Sequence, residues 1–220
     1  MKELEKYLNS ENEIERELAT KLIQNETLFF DILKVCGNQF EIGSGSYLFD
    51  GKVYEYYYKM FEKQKLLFEK VKNCNTFLEI GTYMGHSLLI SLLSNPNLDI
   101  TCIDINDKYT KPSVELLNKK FNNNIKFIKG DSISILENLK GKFDLFHIDG
   151  AHSINYVTKE FEMCCNISSS EEINFLFDDY DSIKGIENII NKKYKIIEQK
   201  IPNCDWTNSF FKIKKHDGLL

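Results

Sequence analysis

The eleven residues Phe77-Leu-Glu-Ile-Gly-Thr-Tyr-Met-Gly-His-Ser87 constrain this chain more than any other stretch. A short apolar run broken by glycine reads as a buried strand, and Ser87-Leu-Leu-Ile-Ser-Leu-Leu93 after it reads as a buried helix. Gly81 and Gly85 let the backbone turn sharply and come close to a ligand, where a Cβ would clash. A strand that enters a helix through such a turn is how an α/β sheet opens a nucleotide-type pocket. The Glu-x-Gly-x-x-x-Gly pattern gains its force from the strand ends downstream of it.

A second apolar strand, Leu98-Asp-Ile-Thr-Cys-Ile-Asp104, ends in an acid a little over twenty residues after Gly81, where a carboxylate can accept both hydroxyls of a ribose. Gly130-Asp131-Ser132 closes a third strand and Phe143-Asp-Leu-Phe-His-Ile-Asp-Gly-Ala-His152 a fourth. From Thr76 onward the spacing predicts strands near 76–80, 99–104, 125–129, 143–148 and 173–178, alternating with helices near 84–94, 111–120, 132–140, 154–165 and 182–192. That alternation implies a mostly parallel sheet covered on both faces. Two last strands, near 195–200 and 208–214, have no helix between them and form a terminal hairpin, giving seven strands in all.

Ahead of the sheet, Ser10-Glu-Asn-Glu13 has the spacing of a capping box, and Ile14, Leu18 and Leu22 recur every four residues before Leu28, Phe29, Ile32 and Leu33. This predicts a helical region to about Gly37. Gly43-Ser-Gly-Ser46 reads as a flexible break, since no Lys-Ser/Thr follows it as a phosphate loop requires. Tyr54 to Val71 returns to helical spacing, with Tyr57, Phe61, Phe68 and Val71 near one face. The Tyr54, Tyr56, Tyr57, Tyr58 run reads as core more than as pocket lining.

With 220 residues and 42% hydrophobic content, the chain can bury one sizeable core. A formal charge of -5 with a pI near 5.5 argues against a nucleic-acid surface, and the short Lys runs read as solvated. The six cysteines show neither Cys-x-x-Cys nor metal-ligand spacing, so they read as reduced thiols of a cytoplasmic protein. Neither a secretion signal nor a membrane span is expected.

On Glu79-Ile-Gly81, Asp104, Gly130-Asp131-Ser132, Ile148-Asp-Gly-Ala-His-Ser153 and Phe175-Leu-Phe-Asp-Asp-Tyr180, the chain resembles the class I S-adenosylmethionine-dependent methyltransferases. Within them it is similar to the branch of macrocin and rhamnosyl O-methyltransferases and cephalosporin-hydroxylase-like proteins. The resemblance spans roughly Phe77 to Ile213. It implies a Rossmann-like methyltransferase fold with a C-terminal antiparallel hairpin over residues 55–220, extended by an N-terminal helical cap or dimerisation region over 1–54. It also implies that Glu79, Gly81, Thr82, Tyr83, Gly85 and Ser87 serve the methionine end of the cofactor. Asp104 with Ile105 would serve the ribose, Asp131 with Ser132 the adenine, and Asp149 the same cofactor pocket. Asp131-Ser132 before an apolar run also has the form of a helix N-cap.

Asp149 and Asp178-Asp179 end strands expected to be sheet neighbours, and three like charges in one crevice are unfavourable without a cation. The resemblance assigns these three to a divalent ion such as Mg²⁺, which takes oxygen ligands and leaves positions for substrate oxygens. His152, three residues after Asp149, is the candidate general base, with Asp149 beside it in the catalytic set. His147 reads as a core histidine, and His86 as a cofactor contact or a helix start. The expected reaction is methylation of a hydroxyl on a small molecule, a sugar or glycoside for preference. The rivals are a nucleotide-binding oxidoreductase and a non-catalytic protein that keeps the fold. DNA methylation is disfavoured because the fourth strand lacks an Asn/Asp-Pro-Pro-aromatic element.

Overall fold

The computed structural model describes residues 1–122 and 125–216. Seven strands form one sheet in the order β3-β2-β1-β4-β5-β7-β6, with β1 at Thr76–Ile80, β2 at Asp99–Asp104, β3 at Lys126–Lys129, β4 at Leu145–Ile148, β5 at Glu172–Phe177, β6 at Tyr194–Lys200 and β7 at Ser209–Lys215. The first five strands pair in parallel; β7 enters antiparallel between β5 and β6. Each central strand is apolar on both faces because both are covered. Phe77, Leu145, Leu176 and Phe210 point into one core, and Leu78, Phe146, Phe175 and Phe211 into the other.

The helices are α1 (Glu13–Gln24), α2 (Glu26–Val35), α3 (Phe61–Val71), α4 (His86–Ser94), α5 (Asp107–Phe121), α6 (Ser132–Leu136), α7 (Ile154–Asn166) and α8 (Ile186–Ile190). Leu18, Leu22, Phe29 and Ile32 of the two N-terminal helices share a core with Phe68, Leu88 and Leu89, so residues 1–54 pack onto α3, α4 and α5.

Four local expectations shift. The cap of α1 is Asn12, whose side chain accepts from the N–H groups of Ile14 and Glu15, while Ser10 hydrogen-bonds Glu15 instead. Helix α5 starts at Asp107 because the Asn106 side chain caps it, and Pro112 lies inside. Residues 54–57 do not join α3, since the Tyr57 N–H donates to the Leu48 carbonyl and a 3-10 turn at Tyr58–Met60 leads into the helix. Gly43 to Ser46 is no free break either: Gly43 N–H bonds the Gly51 carbonyl and Ser46 N–H the Phe49 carbonyl, folding a strap whose Tyr47, Leu48 and Phe49 are buried.

Candidate active site

Parallel strands that end at the same level place the residues after them around one crevice. Here that crevice is a cavity of about 710 Å³ beyond the carboxyl ends of β1, β2, β3, β4 and β5. Its floor depends on Gly81: a Cβ there would collide with the Asp149 carbonyl, and φ is 80°, so only glycine lets β1 turn against β4. Gly81, Thr82, Tyr83, Ser87, Asp104, Ile105, Asp131, Ser132, Asp149, His152, Asp178 and Asp179 all stand on the wall. Glu79 and Gly85 do not. Gly85 caps α4 and packs on Leu88, Ser113 and Leu117. Glu79 lies fully buried behind the wall, paired in register with His147 and bound to its Nδ1 at 2.8 Å.

His147 is the hub of a buried polar chain. Its Nε2 meets the Tyr47 hydroxyl at 2.8 Å, and that hydroxyl accepts from Asn208 Nδ2 at 3.1 Å. Both ring nitrogens are therefore engaged, Nδ1 by Glu79 and Nε2 by Tyr47. The chain ties β1, β4, the strap and the residue before β7 beneath the cavity.

At the end of β2, Asp104 accepts from the N–H groups of Thr82 (2.9 Å) and Tyr83 (2.7 Å) on Oδ2 and from Asn106 N–H (2.8 Å) on Oδ1. A carboxylate has about four acceptor positions, so it keeps capacity for a ligand hydroxyl. Asp131 caps α6 through Ser134 N–H and also receives the Ser134 and Tyr156 hydroxyls, which hold its pKa below the usual range.

At the other end, the register of β4 against β5 sets Asp149 opposite Asp178, and Asp178 N–H bonds the Ile148 carbonyl. Lys63 of α3 reaches in from behind: its Nζ lies 2.5 Å from Asp178 Oδ1 and 4.4 Å from the Tyr47 ring centroid, and the residue is 2% exposed. Burial drags the Lys63 pKa down, but Asp178 and Asp149 outweigh that and leave it raised. Asp178 is correspondingly held low; burial opposes this and Lys63 is the largest cause in its favour. Asp149 goes the other way, raised well above the carboxylate range by burial and then by Asp178. One ammonium thus serves the two carboxylates of the pair unequally.

Asp179 sits outside that pair, its φ of 45° turning the side chain toward the mouth, where Oδ2 lies 3.5 Å from His152 Nδ1. Burial and Asp178 raise its pKa. Acidic oxygens of Asp149 and Asp178 come within 4.8 Å of one another and of a His147 nitrogen. Because both His147 nitrogens are engaged, the usable donors are carboxylate oxygens. This donor set fits a hard divalent ion.

Among the wall residues that sequence reasoning missed, four bear on its charge and polarity. Lys63 has no signal beyond a helical lysine in an apolar stretch. The strap residues Ser46 and Tyr47 were hidden by their glycine neighbours. Glu160 on α7 is 1% exposed, with its pKa pushed up to about 7 by burial. His86 both opens α4 and reaches the wall; bound by Ser46 and by the Tyr54 hydroxyl (2.9 Å), it is fully buried and pushed down to about 3 by desolvation. None of Tyr54, Tyr56, Tyr57 or Tyr58 lines the cavity.

Residues 78–180, from β1 to the turn after β5, match a family model described as a methyltransferase domain. No curated protein matches the chain. Among solved structures, the O-methyltransferase TomG from Streptomyces achromogenes, involved in tomaymycin synthesis and bound to SAM, aligns over 93% of this chain and 99% of its own with TM-score 0.61 and 11% identity. An O-methyltransferase from Bacillus cereus in complex with SAH aligns over 92% and 100% with TM-score 0.61 and 15% identity. Cofactor-bound Rv0187 from MTB aligns over 86% and 91% with TM-score 0.66 and 11% identity. The fold is that of these Rossmann-like methyltransferases.

Proposed function

We propose that this chain transfers a methyl group from S-adenosylmethionine to a hydroxyl of a small molecule, a sugar or glycoside by preference, with a divalent ion of the magnesium type held by Asp149, Asp178 and Asp179. The observation that carries the cofactor is the sign of the cavity. Seven carboxyl groups line it, those of Glu41, Asp104, Asp131, Asp149, Glu160, Asp178 and Asp179, against Lys63 as its single lysine or arginine among the described residues. A dinucleotide needs loop N–H groups for its pyrophosphate. In this chain the Thr82 and Tyr83 N–H groups point at the Asp104 carboxylate, which would repel phosphate and welcome ribose hydroxyls and a sulfonium cation. This weighs against the oxidoreductase alternative.

S-adenosylmethionine supplies a methyl group that bonds to the acceptor oxygen as the carbon–sulfur bond breaks, its electron pair passing to sulfur. The acceptor hydroxyl must lose its proton. His152 stands at the mouth with a 43% exposed side chain, and Asp179 beside its Nδ1 leaves Nε2 free to take that proton. Asp179 then stabilises the imidazolium. Lys63 keeps Asp178 ionised and fixed. A divalent ion at the carboxylates would lower the hydroxyl pKa and orient it. With Lys63, its two charges balance the three carboxylates. A sugar suits this end because neighbouring hydroxyls offer paired oxygens, and the half-exposed Trp206 ring on the rim offers a face for a pyranose.

Calorimetry with S-adenosylmethionine, S-adenosylhomocysteine and NAD⁺ tests the cofactor, and transfer of a labelled methyl to candidate glycosides tests the acceptor class. Binding of the first two with none for NAD⁺ is expected. Tight NAD⁺ binding with none for S-adenosylmethionine would overturn the reading, and cofactor binding without turnover on any hydroxyl compound would favour a non-catalytic protein.

A further inference from the structure

The acceptor end holds a positive charge that is pinned in place. Lys63 Nζ lies 2.5 Å from Asp178 Oδ1 and 4.4 Å from the centre of the Tyr47 ring, and the residue is 2% exposed. Tyr47 is itself fixed: Gln64 Nε2 donates to its carbonyl at 2.7 Å, Asn208 Nδ2 donates to its hydroxyl at 3.1 Å, and that hydroxyl lies 2.8 Å from His147 Nε2. The electron-rich ring face holds the ammonium on one side and the carboxylate holds it on the other. To swing out, Lys63 would have to give up both partners and its burial on α3. An ion arriving at Asp178 therefore meets the ammonium instead of displacing it.

That fixed charge alters what the three carboxylates can accept. Carboxylates that ligate a metal are ionised, so Asp149, Asp178 and Asp179 bring three negative charges, and Lys63, the single lysine or arginine on the wall among the described residues, leaves two. His152 adds none in the neutral form that a base requires. Two negative charges match a divalent ion, whereas three would match a trivalent one. Oxygen donors alone do not make that distinction, because hard ions of either charge prefer them. Repulsion by the ammonium does, since it grows with the charge of the ion. We propose that Lys63 is a specificity-determining residue that sets the charge of the metal ion this site takes, admitting divalent ions and discriminating against trivalent ones. The inference rests on the metal reading and adds which ions the site selects.

The test measures Mg²⁺ binding by calorimetry and Tb³⁺ binding by luminescence on the full chain without cofactor, counting as the site's own the binding that Asp149→Asn removes. The unaltered chain is compared with Lys63→Gln and Lys63→Arg. For charges about 4 Å apart, even water-like screening predicts that Lys63→Gln binds Mg²⁺ about 30-fold more tightly and Tb³⁺ about 150-fold, since the repulsion lost scales with the ion's charge. Lys63→Arg keeps the charge and should leave the ratio of the two affinities unchanged. If Lys63→Gln folds only with an ion, the Mg²⁺ and Tb³⁺ concentrations that restore its circular dichroism stand in for the affinities, and restoration by neither ion overturns the inference. A Lys63→Gln chain in which both ions weaken, or tighten by one common factor, overturns it too. So does a Lys63→Arg chain that shifts the ratio as the glutamine does. If the unaltered chain binds neither ion at this site, the metal reading falls and this inference with it; Mg²⁺ binding with a ratio that Lys63→Gln leaves unshifted removes this inference alone.

Discussion

The two ends of the cavity treat their carboxylates in opposite ways. At the nucleoside end, Asp104 and Asp131 are held by local donors, three backbone N–H groups on the first and an N–H with two hydroxyls on the second. At the acceptor end, Asp149, Asp178 and Asp179 share Lys63, with His152 close to Asp179. The first end is already organised before any ligand arrives, because hydrogen bonds from short loops fix its charges. The second is short of positive charge, and the raised pKa values of Asp149 and Asp179 express that shortage. Preorganisation suits a cofactor of constant shape; a charge deficit suits a site completed by an ion and an acceptor.

Chelation is the strongest way to break this contrast. It should abolish methyl transfer and leave S-adenosylhomocysteine affinity nearly unchanged by calorimetry, and Asp149→Asn, Asp178→Asn or Asp179→Asn should each do the same. Full activity in excess chelator would leave Lys63 as the sole cation the acceptor end needs. His152→Ala should lower the transfer rate by about 10² to 10⁴ and remove the imidazole limb of the pH profile, with metal affinity retained. A near-normal rate would reduce His152 to a partner of Asp179.

Lys63→Met strands the Asp178 carboxylate in a buried site, and urea unfolding should show a loss of about 3 to 5 kcal/mol. Adding Asp178→Leu should recover much of it; if the double variant is no better than the single one, Lys63 acts through packing on Tyr47. The smallest effect belongs to the nucleoside end. Glu160 faces Ser132, Asp131 and Tyr156, with Cys164 on its own helix, and its folded pKa of about 7 lies above the 4.5 of an exposed glutamate. The folded state holds this proton longer than the unfolded state, so stability falls as pH rises from about 4.5 to 7. Glu160→Gln should therefore match the parent at pH 4 and gain up to about 3 kcal/mol at pH 8 in denaturant titrations. Equal stability at both pH values would mean that Glu160 is ionised at no cost.

The nucleoside end was the more legible in the sequence. Gly81, Asp104 and Asp131-Ser132 lie at strand ends marked by glycine and by apolar runs, and a strand end in a parallel sheet has one destination. The proximity of Asp149 to Asp178 was legible for the same reason, as sheet neighbours end side by side. Glu79 shows the boundary of such reasoning. It precedes the glycine turn by two residues, but strand alternation turns it away from the cavity and onto His147.

By its periodicity and its glycines, the sequence alone determined the α/β alternation, the seven strands, the terminal hairpin and which residues reach the strand ends. Those features are local, set by side-chain spacing and by backbone angles that particular residues permit. Tertiary structure alone decided which charges are answered. Lys63 meets Asp178 across 115 positions, Tyr47 meets His147 across 100, and Ser132 meets Glu160 across 28. Electrostatic partners are chosen by distance in space, and no spacing along the chain encodes a contact between a helix before the first strand and a carboxylate after the fifth.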